Sequence, residues 1–267
     1  MKTVVITGST QGIGLGLARE FLKRGCSVVI SSRSKDKLKQ VVQNLKETFG
    51  SDRVIGQSCD VTDYCQVQVL WDTGKKEFGK IDIWINNAGI THSTKGLTAL
   101  DLTEVAPVVS TNVTGLIYGS LIAFKEMTDQ GCGQIYNLYG HGSNDNKVSG
   151  LHVYGTTKRA VRYFTEALIQ DAEDTAVKVG SISPGIVVTD FLINDMRKMF
   201  KEQLETVKAI YNCLADTVET VTPFIVENVL KNDKNGAEIN WLTNEKANER
   251  MNSDEYCNRD LFSTYGL

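Results

Sequence analysis

Only three prolines (Pro107, Pro184, Pro223) and three histidines (His92, His141, His152) occur in the 267 residues. With so few prolines, no internal repeat and no low-complexity tract, nothing reads as an interdomain linker, and residues 1–267 are expected to form one domain. With so few imidazoles and no C-x-x-C pair among Cys26, Cys59, Cys65, Cys132, Cys213 and Cys257, no metal site is expected. These scattered cysteines are expected to be reduced and mostly packed. No apolar run approaches the roughly eighteen residues of a membrane span, and Val4–Ile6 runs at once into Thr7-Gly8, so neither a span nor a signal peptide is expected. Excess positive charge is missing as well. A net charge of -3 gives no broad field for a phosphate backbone, and nucleic acid is not an expected partner.

What is present is an ordinary globular composition, 41% hydrophobic and 23% charged, arranged in alternating strand-like and helix-like runs. The strand candidates are Thr3–Thr7, Ser27–Ser31, Val54–Ser58, Ile81–Asn86, Gly133–Leu138, Lys178–Ser183 and Glu238–Leu242. Between them, Leu15, Ala18, Phe21 and Leu22, and later Ala160, Val161, Phe164, Ala167 and Leu168, recur at helical spacing. This alternation predicts an α/β fold, a Rossmann-type doubly wound parallel sheet of about seven strands with helices on both faces. Residues from about 190 to 220 break the alternation as a helical insertion rich in apolar side chains: Phe191, Leu192, Met196, Met199, Phe200, Leu204, Val207 and Tyr211. Such a segment suits a cover over a bulky apolar compound, or equally internal packing or a subunit interface. The tail, about 244–267, is polar as far as Leu261-Phe262 and reads as a mobile end or an arm on a neighbouring subunit.

Thr7-Gly8-Ser9-Thr10-Gln11-Gly12-Ile13-Gly14 follows the first strand and opens the first helix. Glycine there permits a tight turn and close backbone approach, and the amides and positive end of the helix receive a pyrophosphate. A dinucleotide is therefore expected on Gly8 through Gly14. The second strand ends in Ser31-Ser32-Arg33 with no carboxylate for a ribose hydroxyl. Arg33, helped by Ser32, offers a charged fork for a 2'-phosphate, which favours NADP(H) over NAD(H); a solvated surface arginine is the alternative. Asp60, followed by Val61, ends the third strand where it could accept from an adenine amino group or serve in a turn. Asn86-Asn87-Ala88-Gly89 ends the fourth strand with small residues suited to passing close to a ribose.

Tyr154-Gly155-Thr156-Thr157-Lys158 begins a helical stretch, which sets a phenol and an ammonium one turn apart on one face. An adjacent cation favours the phenolate and is expected to bring its proton exchange toward neutral pH, so that Tyr154 acts as a general acid.

Taken in order, Thr7-Gly8 with Gly12 and Gly14, Asn86-Asn87-Ala88-Gly89, Asn112, Tyr154 with Lys158, and Ser183-Pro184-Gly185 with Thr189 resemble the short-chain dehydrogenases/reductases along nearly the whole chain. The resemblance implies hydride transfer between NADP(H) and a carbonyl/alcohol substrate. It makes Tyr154 the acid/base and Lys158 its cationic partner and ribose ligand, and Asn112 the holder of a relay water. It also implies that Pro184, Gly185, Val187 and Thr189 border the cofactor and that the protein is a homodimer or homotetramer.

One departure stands out. The family's serine, thirteen residues before the tyrosine, is replaced here by His141, and the nearest hydroxyl downstream is Ser143. Ser143, His141 or a backbone amide takes over, or turnover is lost and the chain is an NADP(H)-binding sensor or scaffold. The Gly140-His141-Gly142-Ser143 segment, with Tyr154–Arg159, Ser183–Asp190 and Ile239–Thr243, is similar to the chlorophyll b reductase branch, whose serine lies eleven residues before the tyrosine. That similarity favours Ser143 and implies reduction of a formyl group on a tetrapyrrole. The start at Met1-Lys2-Thr3, without a transit peptide, sets an expectation of a cytoplasmic, bacterial-type relative.

Overall fold

Short runs of β-branched and aromatic residues form seven strands that lie side by side in a computed structural model, which describes every residue except Asp145, Asn146, Val148 and Phe200 and the side chains of Lys201 and Glu202. The strands are β1 (Thr3–Ile6), β2 (Ser27–Ser32), β3 (Val54–Ser58), β4 (Ile83–Asn86), β5 (Gly133–Leu138), β6 (Val177–Ser183) and β9 (Ala237–Asn240), the last numbered after the short strands β7 (Val187–Val188) and β8 (Asp216–Thr217). Their order is β3-β2-β1-β4-β5-β6-β9, and every neighbouring pair is parallel. This is the expected Rossmann-type sheet. The expected strands Ile81–Asn86 and Glu238–Leu242 pair only over Ile83–Asn86 and Ala237–Asn240.

Successive side chains of a strand point to opposite faces, so near-continuous apolar runs feed two cores. Val4, Ile6, Val28, Ile30, Ile83 and Ile85 meet α1 (Gly12–Lys23) and α9 (Val218–Lys231), while α2 (Lys35–Phe49) covers the sheet edge. Val5, Val29, Trp84, Ile135 and Val179 meet α3 (Tyr64–Phe78), α5 (Gly115–Gln130) and α6 (His152–Asp171). The helix start signals are local: Ser34 accepts from the Lys37 amide at the head of α2, and Asp63 from the Cys65 and Gln66 amides at the head of α3.

From α4 (Leu102–Val109) a π turn, Ser110–Thr114, leads straight into α5. The run Leu102–Gln130 is long and apolar enough to cross a membrane by length and composition. Its buried residues Leu116, Ile122, Ala123 and Met127 pack into the cores of this fold.

The expected helical insertion holds two helices. It is α7 (Asp190–Met196) followed by α8 (Lys201–Leu214), and β7 and β8 pair in parallel at its base, Val187 with Asp216 and Val188 with Thr217. Of the apolar residues expected there, Phe200 lies outside the described residues.

The tail departs from expectation, because it folds back onto this insertion. After α10 (Asn244–Met251) and α11 (Asp254–Cys257), Phe262 is fully buried among Val188, Ile193, Met196 and Ala215. Arg259 donates to the carbonyls of Asn212, Cys213 and Ala215, and Arg250 to that of Leu214, which satisfies backbone acceptors at the end of α8. Buried Asp216 accepts from Arg250 and from the Trp241 indole, each at 2.6 Å. Cys213 and Cys257 form a disulfide between α8 and α11, and Cys65 and Cys132 are exposed, so the expectation of six reduced and mostly packed thiols is corrected. A polar composition concealed these anchors, since arginine and cysteine make long-range contacts that leave no local period.

Candidate active site

The strand order reverses between β1 and β4, and the crevice outside their C-terminal ends is where open parallel sheets place ligands. The glycine loop forms one wall. Thr7 Oγ1 accepts from the amides of Asn87 and Ala88, both at 3.0 Å, and the Asn87 amide group donates to the carbonyls of Thr7 and Gly8. Gly8 has φ +62°, and a Cβ there would lie 2.9 Å from Ala88 Cα. Glycine is thus required by the packing of the two strand ends on each other, besides any approach to a phosphate.

Along the loop the expected ligand contacts separate. Ser9 is buried, donates its hydroxyl to the Ile6 carbonyl, and exchanges bonds with Ser31, so both its amide and hydroxyl are committed within the protein. Thr10 and Gly14 are also buried. Gln11, Gly12 and Ile13 reach the rim, and Gln11 stands at the N-terminus of α1 with no side-chain cap on the amides behind it. Lys37 donates to the Gln11 side chain. Ser32 Oγ accepts from the Ser34 amide, and exposed Arg33 has no hydrogen bond or ion pair among the described residues. Asp60 takes the turn arrangement, its Oδ1 accepting from the Thr62 amide and hydroxyl. Val61 is buried against Gly115. The stretch Pro184–Thr189 crosses over the loop: Thr189 caps α7, its methyl lies 3.4 Å from where a Gly12 Cβ would stand, and Val187 is buried beneath. Gly185 turns at φ +72° against Leu242.

Tyr154 and Lys158 sit in the first turns of α6, over the end of β5. Lys158 is buried, only 6% exposed, and its Nζ donates to the Leu138 carbonyl at 3.1 Å and stands 5.8 Å from the Tyr154 ring centre. A Cβ on Gly140 would fall 2.5 Å from the Tyr154 hydroxyl, so a glycine at the strand end makes room for the phenol. A Cβ on Gly89 would lie 3.4 Å from Asn112 Oδ1 and 3.9 Å from Lys158 Nζ, so Asn112 and Lys158 converge beside the fourth strand end.

Asn112 lies in the π turn, a local distortion often found at functional sites. Its amide donates to the Ile90 carbonyl and Thr157 Oγ1, and its Oδ1 accepts from the Ile90 amide. Thr157 in turn donates to the Tyr154 carbonyl. Both amide protons are thus engaged in tying the loop after β4 to the Tyr154 turn.

The electrostatics differ from expectation. Burial raises the Tyr154 phenol above the ordinary tyrosine range and pushes the Lys158 ammonium down to about 8. Removal of both groups from water outweighs any pull of the cation on the phenol, because each loses hydration of its charged form. Tyr154 therefore keeps its phenolic proton near pH 7.

Of the candidates for the missing serine, Ser143 is buried and His141 is exposed. The Ser143 amide donates to the Gly140 carbonyl, and Gly142 lies flat on Gly155 at the start of α6. Phe191 of α7 covers the tyrosine with ring centres 6.2 Å apart. Between α7 and the strand ends lies a cleft of about 380 Å³, with Gln11 and Gly89 on one side and Phe191, Asp195 and Lys198 on the other.

A buried polar relay gave no sequence signal beyond asparagines in apolar strands. Asn86 accepts from the Trp84 indole and donates to Ser120 and Asn137, and Asn137 donates to Thr165 on α6. It joins β4, β5, α5 and α6 behind the site.

The family model described as short chain dehydrogenase matches residues 2–199. The chain is 38% identical to the chloroplastic chlorophyll(ide) b reductase NOL of Arabidopsis thaliana, over 91% of this chain and 71% of the relative. It is 37% identical to the corresponding protein of Oryza sativa subsp. japonica, over 93% and 73%. Among solved structures, the closed form of serine dehydrogenase complexed with NADP+ superposes with a TM-score of 0.77 at 27% identity, covering 90% of this chain and 94% of that one. These relatives overturn the cytoplasmic expectation, since the two reductases are chloroplastic. The composition of a folded domain carries no mark of its compartment, so it could not decide this point.

Proposed function

The chain belongs to the short-chain dehydrogenase family, and on that footing we propose that it is an NADP(H)-dependent reductase of a formyl group carried on a large apolar ring, as in the chlorophyll(ide) b reductases it is similar to. The observation that carries this reading is the Tyr154 hydroxyl seated on Gly140, with Lys158 beside it and the glycine loop and Gly89 across the same crevice.

The protein's groups fit such a cofactor. The uncapped start of α1 at Gln11 and Gly12 suits a pyrophosphate, and exposed Arg33 suits a 2'-phosphate. Lys158, held by the Leu138 carbonyl next to Gly89, is placed to hold ribose hydroxyls. Bound there, NADPH supplies the hydride that adds to the carbonyl carbon. Tyr154, neutral through burial, gives its proton to the carbonyl oxygen, so aldehyde, hydride and proton together make a primary alcohol. The Lys158 ammonium stabilises the phenolate left behind, and Ser143 polarises the oxygen. Asn112 and Thr157 hold the Tyr154 turn, and Phe191 keeps water from the tyrosine.

The test is direct. Purified protein with NADPH and a formyl-bearing tetrapyrrole should consume the reduced nicotinamide absorbance and give a hydroxymethyl product by mass spectrometry. Tight cofactor binding without oxidation, over a panel of bulky aldehydes, would replace the reductase with a cofactor-binding sensor.

A further inference from the structure

The cleft under α7 is bordered by Phe191, whose ring centre lies 6.2 Å from that of Tyr154, and it is small for a large ring. Its volume of about 380 Å³ is near the lower end for small-ligand pockets, and Gln11 and Gly89, which border the proposed cofactor site, also line it. Because Phe191 of α7 both lines this cleft and packs on Tyr154, a polycyclic aldehyde approaching the phenol through it meets α7.

What holds α7 down is therefore decisive. On its inner side Ile193 and Met196 pack with Val188, Ala215 and Phe262. Toward the cleft, Thr94 Oγ1 donates to both carboxylate oxygens of Asp195, at 2.9 and 3.0 Å. The Thr94 backbone amide faces the same carboxylate, so Thr94 and Asp195 together tie α7 to the loop after β4. Thr94 itself is firmly placed. Neighbouring Ser93 binds Glu104 of α4 through its amide at 3.0 Å, His92 is buried with its Nδ1 on the Ser93 carbonyl, and the Thr94 methyl packs against Gly150 ahead of α6. The Asp195 carboxyl is partly withdrawn from water, which raises its pKa, and the Lys198 ammonium acts against that rise. A hydrogen bond to a carboxylate in such a place is stronger than one between neutral groups.

We propose that the Thr94–Asp195 hydrogen bond sets the size limit of the substrate: made, it confines the cleft to small carbonyl compounds; broken, it lets α7 swing and admits the edge of a planar polycycle. The proposal rests on the reductase reading, yet its test does not require turnover. A ligand that needs a minor open state binds more weakly by the fraction of molecules that are open. Removing one such bond raises that fraction by about tenfold or more.

Thr94→Val removes the hydroxyl donor with nearly the same shape and keeps the backbone amide, while Asp195→Ala removes the acceptor of both. Binding of pyrene carbaldehyde, read from its own fluorescence with NADP+ present, is expected to tighten by about tenfold in both variants. Thr94→Ser, which keeps the hydroxyl, should bind as the wild type does. Hydrogen exchange should quicken in residues 190–196 and stay unchanged in β1 and β4. Where NADPH oxidation is measured, the KM for pyrene carbaldehyde should fall in Thr94→Val while that for benzaldehyde does not. Equal pyrene carbaldehyde binding in all variants, or a fall in KM for both aldehydes alike, would overturn the size limit. A wild type that oxidises NADPH with neither aldehyde would remove the reductase reading, and the binding and exchange results would still decide the role of Thr94.

Discussion

Gly140 lies directly beneath the Tyr154 hydroxyl, so close that a methyl group on it would fall 2.5 Å from the phenolic oxygen. The end of β5 thus sets the height of the proposed proton donor above the crevice. Gly140→Ala is expected to push the phenol out of line and lower kcat by about a hundredfold, the scale on which misplacement of about 1 Å acts. Cofactor binding should weaken less than kcat falls, because the added methyl also meets Lys158 Cε at 3.0 Å, the end of a flexible side chain. Steady-state rates beside NADPH titration check both halves.

Lys158 is held as a buried ammonium whose pKa falls from 10.5 to about 8, because burial strips its hydration. Below pH 8 both folded and unfolded chains carry the proton, and the folded one bears the whole desolvation cost. Between about 8 and 10.5 the folded chain gives up its proton first, so stability rises with pH across that window, and above it the cost is gone. Lys158→Met is therefore expected to be more stable than the wild type by on the order of 2 kcal/mol at pH 7 and to lose that advantage near pH 10. Urea unfolding at the two pH values measures it.

Arg33 stands exposed at the end of β2, without a partner among the described residues, where a 2'-phosphate would meet it. Arg33→Ala is expected to weaken NADPH binding by at least tenfold and to leave NADH nearly untouched. Fluorescence titration with each cofactor tells them apart, and equal losses for both would remove Arg33 from that role.

Phe262 anchors the tail under the insertion, fully buried against Met196 and Ile193. Phe262→Ala is expected to cost about 3 to 5 kcal/mol in unfolding free energy, the range for deleting a buried aromatic ring. A shift in the urea midpoint of less than a tenth of that size would mean that the tail is not docked in solution.

The parts that the sequence disclosed are those with a short-range cause. The strand runs, the glycine loop after β1 and the one-turn spacing of Tyr154 and Lys158 follow from periods of two and 3.6 residues and from local turn chemistry. Thr94–Asp195, 101 residues apart, and Cys213–Cys257, 44 apart, have no such period, and only the folded chain brings them together. Where the insertion divides, near Lys198 and Met199, no proline or glycine marks the turn in the sequence. Ser9 read as a ligand contact because a hydroxyl in a phosphate loop and a hydroxyl bonded to a neighbouring strand look the same in one dimension. The pKa direction at Tyr154 was missed for a related reason: the spacing reports the cation beside it, while burial depends on β5 and α7, which lie far off in sequence.

The central claim is that one phenol delivers the proton. Tyr154→Phe keeps the ring against Phe191 and removes only the hydroxyl. With NADPH and a formyl-bearing substrate, single-turnover reduction by this variant is expected to slow by about a hundredfold to ten-thousandfold while NADPH binds as before. Reduction at the wild-type rate, with cofactor equally bound, would contradict the account.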